Sequence, residues 1–177
     1  MGTKITVNPL SLNDVQKAIK KLTDYKENLD SKIDEFVKRL AEKGVDIAKE
    51  KVAVYTGELR ESIDYRKNET EDTKKSYLIY TDCKYAVYVE FGTGVVGEDN
   101  PHPLSEEIGY EYKIGEKIYT TADGKTGWWY VDRFGVKRFT EGMESRPFMY
   151  ETSEELTLMV TEIAKEVFGG ANDDLSD

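Results

Sequence analysis

The chain reads as an α+β fold: N-terminal amphipathic helices, a small antiparallel sheet with a long aromatic hairpin arm, and a C-terminal helix packing on the sheet. Three observations predict this. Apolar residues recur at helical spacing from Leu12 to Ala48 and again from Leu156 to Val167. Between these stretches, runs at 76–81 and 108–114 carry the residue types and alternation of half-buried strands. Asp123-Gly124 marks a tight turn ahead of Trp128, Trp129 and Tyr130, which makes 108–140 an aromatic-rich arm. A length of 177 residues suits a single domain over 1–170, with 108–140 as an insertion and 171–177 as an acidic disordered tail.

Ile5 and Val7 alternate with polar residues and predict a short first strand, stopped at Asn8-Pro9. Ser11 is a helix N-cap with Asp14 in the first turn, and Leu10 and Val15 have the spacing of a hydrophobic staple. Leu12, Val15, Ile19 and Leu22 begin the helical stripe. A break is expected near Thr23-Asp24, then a stronger stripe through Ile33, Val37, Leu40, Gly44, Ile47 and Ala48, ending between Val52 and Tyr55. Thr56 to Ile63 is a turn and short helix, and 63–67 pairs with 76–81 as a hairpin. Asp82 is placed to cap a short helix over 85–91, and Gly92 to end it in the left-handed conformation. Gly97, Pro101 and Pro103 make 95–104 a loop. Pro147 opens the last helix and Gly169-Gly170 ends it.

Composition narrows the function classes. The chain is 38% hydrophobic and 34% charged, against roughly 25% charged in ordinary globular proteins. A thin core under so much charge suits a subunit stabilised by its neighbours. No apolar run reaches the roughly 18 residues of a membrane span, and the N-terminus lacks a secretory apolar region, so a cytosolic product is expected. The net charge of -10 is concentrated after residue 140, where ten acidic side chains stand against Arg146 and Lys165. Such a surface repels phosphate, which disfavours sequence-reading nucleic-acid binding. It serves solubility, or alternatively a face along which DNA passes without sticking.

The residues of catalysis are sparse. His102 is the only histidine and lies between two prolines, so it reads as an ordinary loop residue, and Cys83 is the only cysteine. A hydrolase built on either would lack a base or a second ligand. Glu90 stands among apolar residues without a second carboxylate at fixed spacing, which points to a structural hydrogen bond or ion pair. Gly92-Thr93-Gly94 lacks the lysine and the strand-then-helix setting of a phosphate-binding loop. No catalytic, cofactor-binding or metal-binding residue is expected. Trp128, Trp129 and Tyr130 are candidate interface anchors.

Three segments in this order resemble one family: Thr56-Gly57-Glu58-Leu59-Arg60-Glu61-Ser62-Ile63, then Tyr85-Ala86-Val87-Tyr88-Val89-Glu90-Phe91-Gly92-Thr93, then Gly142-Met143-Glu144-Ser145-Arg146-Pro147-Phe148-Met149. The family comprises morphogenesis or tail-component proteins of long-tailed bacteriophages, named for gene product ten of a lambda-like coliphage. Its motif positions here are Thr56, Gly57, Leu59, Arg60, Tyr85, Tyr88, Glu90, Phe91, Gly92, Thr93, Pro147 and Phe148. The chain departs from it where Ala53-Val54-Tyr55 and Glu151-Thr152 replace common prolines. The resemblance implies a non-enzymatic subunit of the phage neck, made in the host cytoplasm and carried in the virion. It implies a homo-oligomeric ring of sixfold or twelvefold symmetry around the DNA channel. Its partners would be head-closure or adaptor proteins and tail-terminator or tail-tube proteins, with DNA passing unread and no membrane. The alternative is a tail assembly factor or minor capsid-associated binding protein that never closes a ring.

Overall fold

Ser11 sets the start of the longest element: its Oγ accepts the Asp14 N–H at 3.3 Å, and helix α1 then runs Leu12–Lys51. The computed structural model describes residues 5–52, 57–69, 75–112 and 117–169. The elements that follow are α2 (Glu58–Ser62), β1 (Asp64–Lys67), β2 (Tyr77–Tyr80), α3 (Ala86–Phe91), α4 (Gly94–Asp99) and α5 (Ser105–Ile108). The remainder is β3 (Tyr119–Thr120), β4 (Thr126–Val131), β5 (Lys137–Thr140), β6 (Gly142–Met143) and α6 (Phe148–Gly169). The class is the expected α+β, with two small sheets in place of one: β1-β2, and an antiparallel β3-β4-β5.

The expected break at Thr23-Asp24 is absent. Residues 12–43 contain neither glycine nor proline, and the Thr23 hydroxyl donates back to the Ile19 carbonyl at 3.1 Å, so the helical ladder continues. Residues 5–8 form no strand, and Leu10 is 95% exposed, so the staple to Val15 is not made. The Asn8 side chain instead accepts the Leu10 N–H at 3.0 Å in a local turn.

The chain divides into two compact units. One comprises Met1–Gly44, Tyr65–Ile79 and Leu156–Asp177. Here Gly44 lets α1 approach closely, since a Cβ at that position would collide with Ile79 Cδ1 and come within 2.8 Å of Leu156 Cδ1. Phe36 meets Phe168 at 5.8 Å between ring centroids, and Ala41, Ile163 and Val167 are buried. Lys67 donates to Asp34 at 2.9 Å and holds that carboxyl below its ordinary value. Both partners are solvated, so screening leaves the pair little net effect on stability. Gly44→Ala is expected to change stability by under about 1 kcal/mol, measured by urea unfolding, because only the ends of Ile79 and Leu156 must shift and the gain in helix propensity offsets that cost.

The second unit comprises Val45–Asp64 and Tyr80–Glu155. Its interior holds Ile47, Ala48, Val52, Leu59, Ile63, Ala86 and Phe148. At its margin Lys51 bridges Glu155 at 2.9 Å. Residues 95–104, expected as a loop, begin with α4. Residues 108–112, expected as a strand, are the end of α5 and an irregular segment. Gly109 terminates α5 in the left-handed conformation. The alternating aromatics Tyr110 and Tyr112 then serve as packing groups rather than as rungs of a sheet. Ile114 and the 171–177 tail lie outside the described residues.

Beyond Tyr112 the arm follows expectation more closely. Asp123-Gly124 makes the turn between β3 and β4, with Gly124 at φ 84°. A second turn at 132–136 is organised by Asp132, whose Oδ1 accepts the N–H groups of Phe134 and Val136. Its Oδ2 accepts from Arg138 at 2.6 Å, and that bond holds the carboxyl below its ordinary value.

Candidate functional site

The second and third motifs converge on Glu90. A helix of 22 residues starting at Phe148 has four backbone N–H groups without intrahelical acceptors. Pro147 immediately precedes it and has no hydroxyl or carboxylate to cap it. Glu90, on the buried side of α3, supplies what is missing. Its Oε2 accepts the Met149 N–H and its Oε1 accepts the Tyr150 N–H, both at 2.9 Å. The negative carboxylate thus sits at the positive end of the α6 dipole.

A third donor reaches the same carboxylate. His102 Nε2 lies 3.1 Å from Glu90 Oε1, while its Nδ1 accepts the Leu104 N–H at 3.0 Å. Because Nδ1 accepts, the neutral ring carries its proton on Nε2 and donates it to Glu90. The imidazole is buried against Phe91, at 4.2 Å between centroids, and edge-on to Tyr150 at 5.5 Å. Phe91 stacks in turn on Tyr110 at 4.7 Å, and burial pushes the Tyr110 phenol up. The Tyr110 hydroxyl donates to the Gly92 carbonyl at 3.1 Å, and the Tyr112 hydroxyl accepts the His102 N–H at 3.1 Å.

The backbones of the two motifs are also knitted together. Thr93 and Gly94 pair antiparallel with Met143 and Gly142. Ser145 Oγ donates to the Glu90 carbonyl at 2.6 Å, and the Arg146 N–H donates to the Val89 carbonyl at 2.9 Å. Two glycines permit this approach. Gly92 has φ 79° and ψ 178°, a positive-φ extended conformation rather than the expected left-handed helix stop. Gly142 has φ 109°, and a Cβ there would collide with the Thr93 carbonyl.

The motif residues therefore divide by role. Glu90, Phe91, Gly92, Thr93, Pro147 and Phe148 surround one buried junction. Gly57 caps α2 at φ 84° with Leu59 buried and Arg60 exposed, and Thr56 lies outside the described residues. Tyr85 is half-buried and Tyr88 is exposed. Tyr85 is itself the N-cap residue of α3 and no side chain caps that helix, so Asp82 does not cap it. Gly94 opens the six-residue α4, a helix that the sequence did not announce there.

His102 is the residue that sequence reasoning misjudged. It is the centre of a junction rather than an ordinary loop histidine. Two signals could have found it: a carboxylate on an apolar helix needs donors, and the chain contains one histidine to supply them. Chemically, the Glu90–His102 pair has the composition of an acid–base dyad without its availability. Each carboxylate oxygen already accepts a backbone N–H, and both ring nitrogens are engaged. Among the described residues no three metal-capable side chains lie together, and no helix is long and apolar enough to cross a membrane.

The second candidate surface is the arm. Register places Trp128 opposite Thr140 and Trp129 opposite Phe139. Trp128 is half-buried, and a Cβ on Gly94 would fall 2.7 Å from its ring. Trp129 points the other way, exposed, edge-on to Phe139 at 5.4 Å with Lys137 Nζ 5.4 Å above its ring. Tyr130 and Val131 are exposed, and Phe134 at the turn is 73% exposed.

Among known proteins, the family model described as "Bacteriophage HK97-gp10, putative tail-component" matches residues 16–92. The match takes in the first motif and the second as far as Gly92, leaving Thr93, the third motif and the arm beyond it. No curated protein and no solved structure gives a match. Over residues 16–92, less than half of its length, the chain is thus similar to a family of bacteriophage tail components, and the third motif is joined to that segment through Glu90.

Proposed function

We propose that the chain is a structural subunit of the phage neck, assembling as a homo-oligomeric ring through which DNA passes, and that it carries no enzyme activity. The observation that supports this reading most is the exposed apolar surface of the β3-β4-β5 arm. Trp129 and Val131 are exposed on one face of β4, Tyr130 is exposed on the other, and Phe134 and Val136 are exposed at the turn that follows. Aromatic anchors on such a surface suit a subunit interface, and the outer edge of β5 offers backbone groups for strand addition. In this reading 1–170 acts as one assembly unit bearing the 108–140 arm. The acidic residues after 140 face the channel and let DNA slide without adhering. Head-closure or adaptor proteins and tail-terminator or tail-tube proteins are the flanking partners.

The two tryptophans have different expected phenotypes. Trp129→Ala with Phe134→Ala should leave the circular-dichroism melt of the free subunit within a few degrees. It should weaken incorporation into tails by roughly 30-fold, the effect of losing an anchor worth about 2 kcal/mol. Trp128→Ala should lower the melt instead, because that ring covers Gly94. Incorporation that is unchanged in the double variant removes the arm from the interface. Imaging of assembled tails tests the ring, and an open or single-copy arrangement would support the assembly-factor alternative.

A further inference from the structure

Residues 12–29 of α1 carry an apolar seam that is largely exposed among the described residues. With Leu12 taken as a heptad a position, Leu12, Ile19, Lys26, Ile33 and Leu40 occupy a, and Val15, Leu22, Leu29 and Phe36 occupy d. The C-terminal half of the seam is used internally: Phe36 packs on Phe168, one residue before α6 ends. The N-terminal half is open. Ile19 is 59% and Leu22 56% exposed, and Leu12, Tyr25 and Leu29 are exposed as well.

We propose that residues 12–29 bind the same segment of a second copy as an antiparallel two-helix contact. The charge pattern selects this occupant and this direction. Lys17, Lys20, Lys21, Asp24 and Glu27 all fall at b, c or f, away from the seam. Lys26 alone interrupts it. A parallel in-register pair would stack Lys26 on Lys26 of the other copy, an unfavourable apposition of like charges. An antiparallel pair sets a positions against d positions, matching residues whose numbers sum to 41. Leu12 then faces Leu29, Val15 faces Lys26, and Ile19 faces Leu22, each layer occurring twice about the two-fold axis. The aliphatic stem of Lys26 covers Val15 while its ammonium reaches solvent. Flanking positions become Gln16 beside Thr23 and Ala18 beside Tyr25, with no like charges opposed. Asp30 comes to lie near the N-terminus of the other copy's α1, where a negative charge is favoured.

The contact is about 27 Å long at 1.5 Å per residue. It is isologous and does not propagate around a ring, so it holds the free subunit as a dimer. It uses a surface separate from the arm and does not rest on the ring reading.

Sedimentation equilibrium of the full chain tests it. Wild type should run as a dimer. Leu22→Asp should weaken association at least about 100-fold, since it buries a charge against Ile19, with an unchanged far-UV circular-dichroism spectrum. Trp129→Ala with Phe134→Ala should remain dimeric, which separates this contact from the arm. Lys17→Glu, on the outer face, controls for charge alone. Direction is read in a Cys83→Ala background under mild oxidation: Leu12→Cys mixed with Leu29→Cys should cross-link, and neither should alone. A monomeric wild type, an assembly indifferent to Leu22→Asp, or cross-linking of Leu12→Cys by itself would overturn the proposal.

Discussion

Glu90→Ala lowers the free energy of unfolding by about 3–5 kcal/mol, the scale expected when one member of a buried hydrogen-bonded pair is removed. The substitution strands three donors at once: the N–H groups of Met149 and Tyr150 and the Nε2–H of His102. Water has poor access, because the His102 side chain is buried and its ring is flanked by Phe91 and Tyr150. The loss also removes the anion from the start of α6, so near-UV signals from Tyr150 and Tyr110 should change along with stability. Glu90→Gln is the sharper variant. It keeps one acceptor but turns an NH₂ toward a backbone N–H or the ring N–H, so it should recover only part of the loss. Urea unfolding followed by circular dichroism measures both. A cost below about 1 kcal/mol for Glu90→Ala would mean that the junction contributes little to stability.

Gly92→Val should cost about 3 kcal/mol or more, through two separate terms. At φ 79° a β-branched side chain is strained by roughly 1–3 kcal/mol before it touches anything. Space is also lacking: a Cβ would lie 2.7 Å from the Ser145 nitrogen and 2.8 Å from the Met143 carbonyl oxygen, both backbone atoms. Either the chain at 143–145 moves away or the helix end unwinds, and both disturb the bond from the Ser145 hydroxyl to the Glu90 carbonyl. Gly92→Ala already carries the strained φ and the Cβ clash, and Val adds bulk at the γ positions. Thermal melts of both should order as wild type, then Ala, then Val. Equal melts for wild type and Val would refute the positive-φ assignment.

The elements most legible in the sequence were those set by local chemistry. Ser11 with Asp14 marked the start of α1, Asp123-Gly124 marked the turn of the arm, and Pro147 placed the start of α6. Periodicity failed where another use of the same residues won. Tyr110 and Tyr112 alternate as a strand would, yet Gly109 ends a short helix there, Tyr110 stacks on Phe91 and the Tyr112 hydroxyl accepts the His102 backbone N–H. Thr23-Asp24 looked like a break because both residues are mediocre helix formers, but a single back-bonded threonine is tolerated inside a long helix. The junction itself was half visible. An acidic residue on an apolar helix announced a need for donors, while their source, 12 to 60 residues further on, depended on tertiary pairing that no local pattern encodes.

That separation has a kinetic meaning. A nascent chain that has released residues up to about 140 already contains Glu90 and His102, but the amides that satisfy the carboxylate are still to be synthesised. Until Met149 and Tyr150 are in place, the Glu90 carboxylate has only the His102 side chain as a donor. A chain ending before Met149 therefore lacks two of the three donors to the carboxylate and should not form the junction.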